Sequence, residues 1–157
     1  MKKTIIKIAI LLLPIFSFSQ KDFVNSQNLF EKQIEYQMEG NDCSVRALAI
    51  GFDLTYYSAM QLTYKIGRKR ENGMNLRNFV RYTTQNYIMN SRVVSMISLT
   101  KDTSVVEIQN DSKYDNMNLM LVTNDHIFNY KNNVVYGNTK DNKIKDVKWI
   151  LVIKKDK

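Results

Sequence analysis

The apolar pattern of this chain changes period once, and that change limits the folds open to it. Val45, Leu48, Ala49 and Phe52 stand at i, i+3, i+4 and i+7, the spacing of one helical face. Asp42 is a suitable N-cap residue for this helix, and Gly51 lies near its expected end. Thr55 caps a second helix that runs through Ala59, Met60 and Leu62 to Ile66 and stops at Gly67. "GRKRENG" (67–73) reads as a loop, and a third helix presents Leu76, Phe79, Val80 and Thr83. Beyond it the period shortens. "RVVSMISL" (92–99), "NLMLVT" (118–123), "HIFNYK" (126–131), "NVVYGN" (133–138) and "VKWILVI" (147–153) are short runs rich in branched and aromatic residues, and they read as strands. "SVVEIQN" (104–110) is a short helix or turn between the first two of them. Helices first and antiparallel strands second predict an α+β fold.

The first nineteen residues stand apart. Lys2, Lys3 and Lys7 give a basic start, "IAILLLPIF" a short apolar core, and "SFS" small residues before Gln20. This is the pattern of a secretory signal peptide, and its apolar run is too short to span a bilayer. The expected division is therefore a signal at 1–19 and one domain over 20–157, exported to the periplasm or secreted. No cysteine follows the signal for a lipid anchor, so no membrane anchor is expected after cleavage. Residues 20–35 are polar, with Phe23, Val24, Leu29 and Phe30 as docking points for a short helix. Loss of the three signal lysines lowers the formal charge from +8 to about +5. That excess is spread along the chain with no aromatic-interleaved basic motif, which argues against a nucleic-acid partner.

The chain holds a single cysteine, Cys43, and a single histidine, His126. Small exported domains commonly use cysteines in pairs as disulfides. One cysteine forms no internal bridge, so it is buried and inert, paired with another molecule, or kept for its reactivity. Its position favours reactivity. A free thiol has a pKa of about 8.5, and the N–H groups and dipole of a helix start favour the thiolate. An imidazole able to take the proton favours it further, and His126 opens an expected strand where a sheet can bring it close. Acyl transfer also needs donors for the developing oxyanion. The Cys43 N–H is one; the side chain of Gln37, six residues upstream, is the preferred second, ahead of Asn41. One Cys and one His do not make up the usual nitrogen and sulfur ligands of a metal site. Gly67 to Gly73 lacks the Lys-Ser/Thr ending of a phosphate loop. No metal or cofactor is expected.

These residues carry a resemblance. Gln37, Asp42-Cys43 and the following "SVRALAI" resemble the nucleophile segment of papain-like cysteine peptidases. The Gln-x-x-x-x-Asp-Cys form is similar to bacteriocin leader-processing peptidases of peptide exporters. With "GRKRENG" and "HIFNYKNNVVYGN", the chain also resembles small papain-like cysteine proteases of phage and bacterial genomes. The resemblance implies a helical half carrying the Cys packed on an antiparallel sheet carrying the His, and a peptide or protein substrate. It makes Cys43 the nucleophile, His126 the base and then acid, and Gln37 the oxyanion donor.

The resemblance also implies an Asn or Asp on the strand after the histidine, to orient the ring. A three-residue loop with a bulge pairs His126 with Asn138, the first choice; a two-residue turn at Asn132-Asn133 pairs His126 with Thr139 instead. Asp141 is the second choice. Two other readings remain: a peptidoglycan stem-peptide endopeptidase, which shares Asp-Cys-Ser, and a non-catalytic binding or inhibitor module on the same fold. Arg46 could hold a substrate carboxylate, although an ion pair with Asp42 is the simpler reading.

Overall fold

Local chemistry sets the helix limits. Thr55 accepts a hydrogen bond from Ser58 N–H at 3.1 Å and opens the second long helix. That helix ends at Gly67, whose φ of 105° is open to glycine and strained for other residues. The computed structural model describes residues 22–31, 41–69, 73–85, 88–138, 141 and 144–156. The expected signal at 1–19 lies outside them. Among the described residues no helix is long and apolar enough to cross a membrane.

The described elements run in chain order as β1 (Phe23–Asn25), α1 (Ser26–Leu29), α2 (Cys43–Phe52), α3 (Tyr56–Ile66), α4 (Leu76–Gln85), β2 (Ile88–Met89), β3 (Arg92–Thr103), α5 (Val105–Asn110), β4 (Asn118–Val122), β5 (Ile127–Lys131), β6 (Val134–Gly137) and β7 (Val147–Lys155). The architecture is mixed α+β. The strands form one seven-stranded sheet in the order β1-β6-β5-β4-β7-β3-β2. Every pairing is antiparallel except that of β1, which runs parallel to β6 with Phe23 opposite Val135 and Asn25 opposite Gly137.

Among the described residues of 20–35, the expected helix shows as the four residues of α1 and a further helical residue at Glu31, and the preceding Phe23–Asn25 is a strand. Three residues are too few to show a period, and their partner lies more than a hundred positions away, so nothing local marks this strand. β5 begins at Ile127, one residue later than expected, which leaves His126 at its mouth.

The central strands bury both faces. On β4, Met120 and Val122 join the core under α2, α3 and α4, while Leu119 and Leu121 join a second core beneath α5. β7 divides in the same way, Leu151 and Ile153 to the helical side and Ile150 and Val152 to the other. Alternation of side chains with both faces covered explains why "NLMLV" and "WILVI" read as unbroken apolar runs.

Helix α2 lies close against this sheet at Gly51. A Cβ there would stand 2.7 Å from Ile153 Cδ1, 2.8 Å from Met120 Cε and 3.1 Å from Asn129 Nδ2. Gly51→Val therefore overpacks the helix–sheet contact and is expected to destabilise the protein by about 2 kcal/mol. Urea unfolding of the two proteins measures the difference; equal midpoints would show that the contact has room.

Candidate active site

Cys43 is the first residue of α2 and is partly exposed. The helix starts here, but Asp42 does not act as the expected side-chain cap: its carboxylate makes no cap hydrogen bond. Oδ1 accepts from Arg46 Nε at 2.9 Å and Oδ2 from the Tyr56 hydroxyl at 3.0 Å. The carboxylate thus leaves the first-turn N–H groups to other partners. The far half of α2 is tied to the sheet. Asn129 Nδ2 donates to Ala47 O at 3.1 Å, Lys131 Nζ to Ile50 O at 3.3 Å and Asn118 Nδ2 to Gly51 O at 2.7 Å. These bonds satisfy helix carbonyls and fix where α2, and hence Cys43, sits over β4 and β5.

His126 is set by a tight turn between β4 and β5. Thr123, almost fully buried, accepts at Oγ1 from His126 N–H (2.9 Å) and Asp125 N–H (3.3 Å). Its own N–H donates to His126 O at 2.9 Å. A hydroxyl two or three residues before the amides it serves is ordinary turn chemistry, and Thr-Asn-Asp carried that signal in the sequence. The imidazole stacks on Phe128, ring centres 5.6 Å apart.

The residue opposite His126 depends on the turn between β5 and β6. Asn132 (φ 51°) and Asn133 (φ 67°) both adopt the left-handed conformation, and Lys131 pairs with Val134. This is the two-residue hairpin turn that Asn suits. Tyr136 then faces Asn129, and the same register sets Asn138 opposite Ile127 instead of His126. Asn138 therefore does not contact the ring; its Oδ1 accepts from Arg46 Nη1 at 3.3 Å. The chain turns back, with Asp141 N–H donating to Asn138 O at 2.9 Å. The Asp141 carboxylate comes under the imidazole, and His126 Nε2 lies 3.0 Å from Asp141 Oδ2. The same Oδ2 accepts from Asn138 N–H at 2.6 Å. The contact expected of Asn138 belongs to Asp141, because the turn has two residues and not three.

A carboxylate accepts only, so Nε2 carries a proton toward Asp141 and Nδ1 remains for another partner. Cys43 lies on the same cleft, and its thiol helps Asp141 to raise the imidazole pKa. Cys43, His126 and Asp141 line one narrow cleft together with Ser26, Arg46 and Gly137. Burial works against the imidazolium charge, but the hydrogen bonds and charges of Asp141 and then Cys43 outweigh it and hold the His126 pKa at about 10. Gln37 lies outside the described residues.

Two further residues shape the site. Gly137 leaves room for the acid: a Cβ there would run into Asp141 Oδ2 and lie 3.0 Å from its Cγ. The basic loop closes through a Lys69–Gly73 bridge, and the Cβ position of Gly73 is 3.4 Å from Asn41 O, so this loop borders the segment leading to Cys43. Among the described residues no group of three His, Cys, Asp or Glu side chains is placed to hold a metal ion. No family model, curated protein or solved structure matches the chain.

The folded His126 pKa of about 10 lies above the ordinary 6.5. Its contribution to stability is therefore complete below 6.5 and drains away as pH rises toward 10. The stability gap between the wild type and His126→Ala should narrow across that window. NMR titration of the imidazole should give a wild-type midpoint near 10 and a clearly lower one in Asp141→Asn. Gly137→Ala should lower it in the same direction by displacing Asp141. A wild-type midpoint at the ordinary histidine value would contradict the geometry.

Proposed function

We propose that this chain is an exported papain-like cysteine hydrolase that cleaves peptide bonds. The observation that carries the reading is the contact of its one thiol with its one imidazole, with a buried carboxylate on the far ring nitrogen. A sulfur nucleophile, a base and a group that orients the base are the set that acyl transfer requires. The α+β layout, with Cys43 on a helix and His126 at the mouth of an interior strand of the sheet, supports the papain-like assignment.

In the reaction, His126 takes the Cys43 proton and the resulting thiolate attacks the peptide carbonyl carbon. The Cys43 N–H donates to the oxyanion, with the Gln37 amide as the second donor. Collapse of the tetrahedral intermediate expels the amine, which leaves with the proton held on His126, and a thioester remains. His126 then takes a proton from water, hydroxide attacks the thioester, and the acid product departs as the thiolate–imidazolium pair is restored. Asp141 keeps the ring in the tautomer that the cycle needs throughout.

A stem-peptide endopeptidase uses the same chemistry, and Asp42-Cys43-Ser44 is the feature that favours it. The second histidine that such enzymes often carry has no counterpart here, since His126 is the only one. Purified protein offered unfolded polypeptides and isolated sacculi separates the two, and the expected cleavage is of the polypeptide. Cys43→Ala should remove all turnover while leaving the unfolding transition intact. Iodoacetamide should alkylate wild-type Cys43 at neutral pH much faster than free cysteine, and more slowly in His126→Ala. Ordinary reactivity in both would favour a non-catalytic binding module.

A further inference from the structure

Arg46 lies one helical turn beyond Cys43, is only 7% exposed, and has no part in the reaction above. Its guanidinium reaches three segments that lie far apart in the chain. Nε donates to Asp42 Oδ1 at 2.9 Å, and Nη1 donates to Ser26 Oγ at 2.7 Å and to Asn138 Oδ1 at 3.3 Å. Ser26, 3% exposed, follows β1 directly, and Asn138 opens the turn that presents Asp141. From Asn138 the contacts continue through Asp141 to His126 and Cys43, and the peptide bond joins Cys43 to Asp42. The result is a closed circuit of six residues around the sulfur.

We propose that Arg46 is a positioning residue that fastens the Asn138–Asp141 turn and the Phe23–Ser26 segment to the head of α2, and so sets the alignment of Asp141, His126 and Cys43. The inference rests on the hydrolase reading and adds to it. Three arguments support it. A planar guanidinium offers donors in several directions at once, whereas an ammonium is a compact point charge without that fixed fork. With Nε and Nη1 engaged and the side chain buried, Arg46 is poorly placed to take a substrate carboxylate. Its positive charge also neutralises Asp42 beside the position where the thiolate forms. Without it, an uncompensated carboxylate would face that end of the helix. Ser26 is then a built part of the cleft lining, which keeps the Phe23–Ser26 segment in the working protein instead of making it a detachable pro-segment.

The test uses the chain from Gln20 onward, with substitutions Arg46→Met, Arg46→Lys, Asn138→Ala and Ser26→Ala. Three quantities are read: the His126 imidazole midpoint by NMR, the iodoacetamide rate at Cys43 at neutral pH, and the thermal unfolding midpoint. Arg46→Met and Asn138→Ala should each lower the imidazole midpoint and slow alkylation by about tenfold, as expected when a reacting group is displaced by a fraction of an ångström. Arg46→Lys should recover part of the loss and Ser26→Ala should show a smaller one. Asn138→Ala should do this without a change in unfolding midpoint, which separates alignment from stability. An unchanged imidazole midpoint and alkylation rate in Asn138→Ala would overturn the proposal, even if Arg46→Met does not fold. A wild-type midpoint at the ordinary histidine value would overturn it as well. If the wild type cleaves no peptide while its midpoint is high and falls in Asn138→Ala, the peptidase reading fails and the role of Arg46 stands.

Discussion

The hydrogen bond between His126 Nε2 and Asp141 Oδ2 is the constraint on which the rest of the site depends. His126 sits just outside β5, where no ladder bond fixes its ring. An imidazole in that position can turn about its own axis and present either nitrogen. The carboxylate ends that freedom, because an acceptor on one side dictates which nitrogen bears the proton. Nδ1 is then the nitrogen left for the thiol that shares the cleft. Much of the surrounding structure serves to deliver this one carboxylate: the two asparagines of the β5–β6 turn, the missing Cβ at Gly137, and the Asn138 N–H that shares Oδ2 with the ring.

The other half of the alignment comes from the sheet's grip on α2. A helix resting on apolar contacts alone can slide, because the hydrophobic effect has no direction. Here Asn129, Lys131 and Asn118 reach from neighbouring strands to three carbonyls of one helical turn. Two of those residues lie on β5, the strand that His126 leads into. Cys43 and His126 are thus referred to the same strand, one through the helix it holds and the other through the turn that precedes it. Fixing both to a common element keeps the sulfur and the imidazole in register.

The parts of this arrangement that local chemistry encodes were legible in the sequence. Thr55 and Gly67 mark the limits of α3 because caps and left-handed stops act within a few residues. The late strands show in their composition, and the two-layered core shows in the apolar runs of β4 and β7. Cys43 at a helix start and His126 at a strand mouth were visible for the same reason. What was hidden depends on distant partners. Asp42 has the identity of a cap, yet Arg46 and Tyr56 claim its carboxylate. β1 is three residues long and exists because β6 offers an edge. Ranking Asn138 ahead of Asp141 rests on a three-residue loop, whose length the sequence does not fix, and one residue more or less exchanges the faces of a strand. Gly137 gave no motif at all; its reason is the space that Asp141 fills.

The polar circuit around Cys43 is a poor means of stabilising a fold. Taking Asp42, Arg46 and Asp141 out of water costs free energy that their mutual attraction only partly returns, and apolar side chains of equal volume would often hold the same elements together as well. An apolar replacement would tolerate small shifts, though, because such contacts change little over a fraction of an ångström. Hydrogen bonds of 2.6 to 3.3 Å do not tolerate them. Each link here ends on a group whose other acceptor or donor is already engaged: Asp42 between Arg46 and Tyr56, Asp141 between His126 and the Asn138 amide. A shift in one member leaves a buried charge or donor without its partner at the next, and that penalty exceeds what an ordinary packing rearrangement incurs. The circuit therefore admits few geometries besides the one that sets the imidazole and the thiol in one cleft. It gives up stability for uniqueness at the place where the proposed chemistry needs uniqueness most.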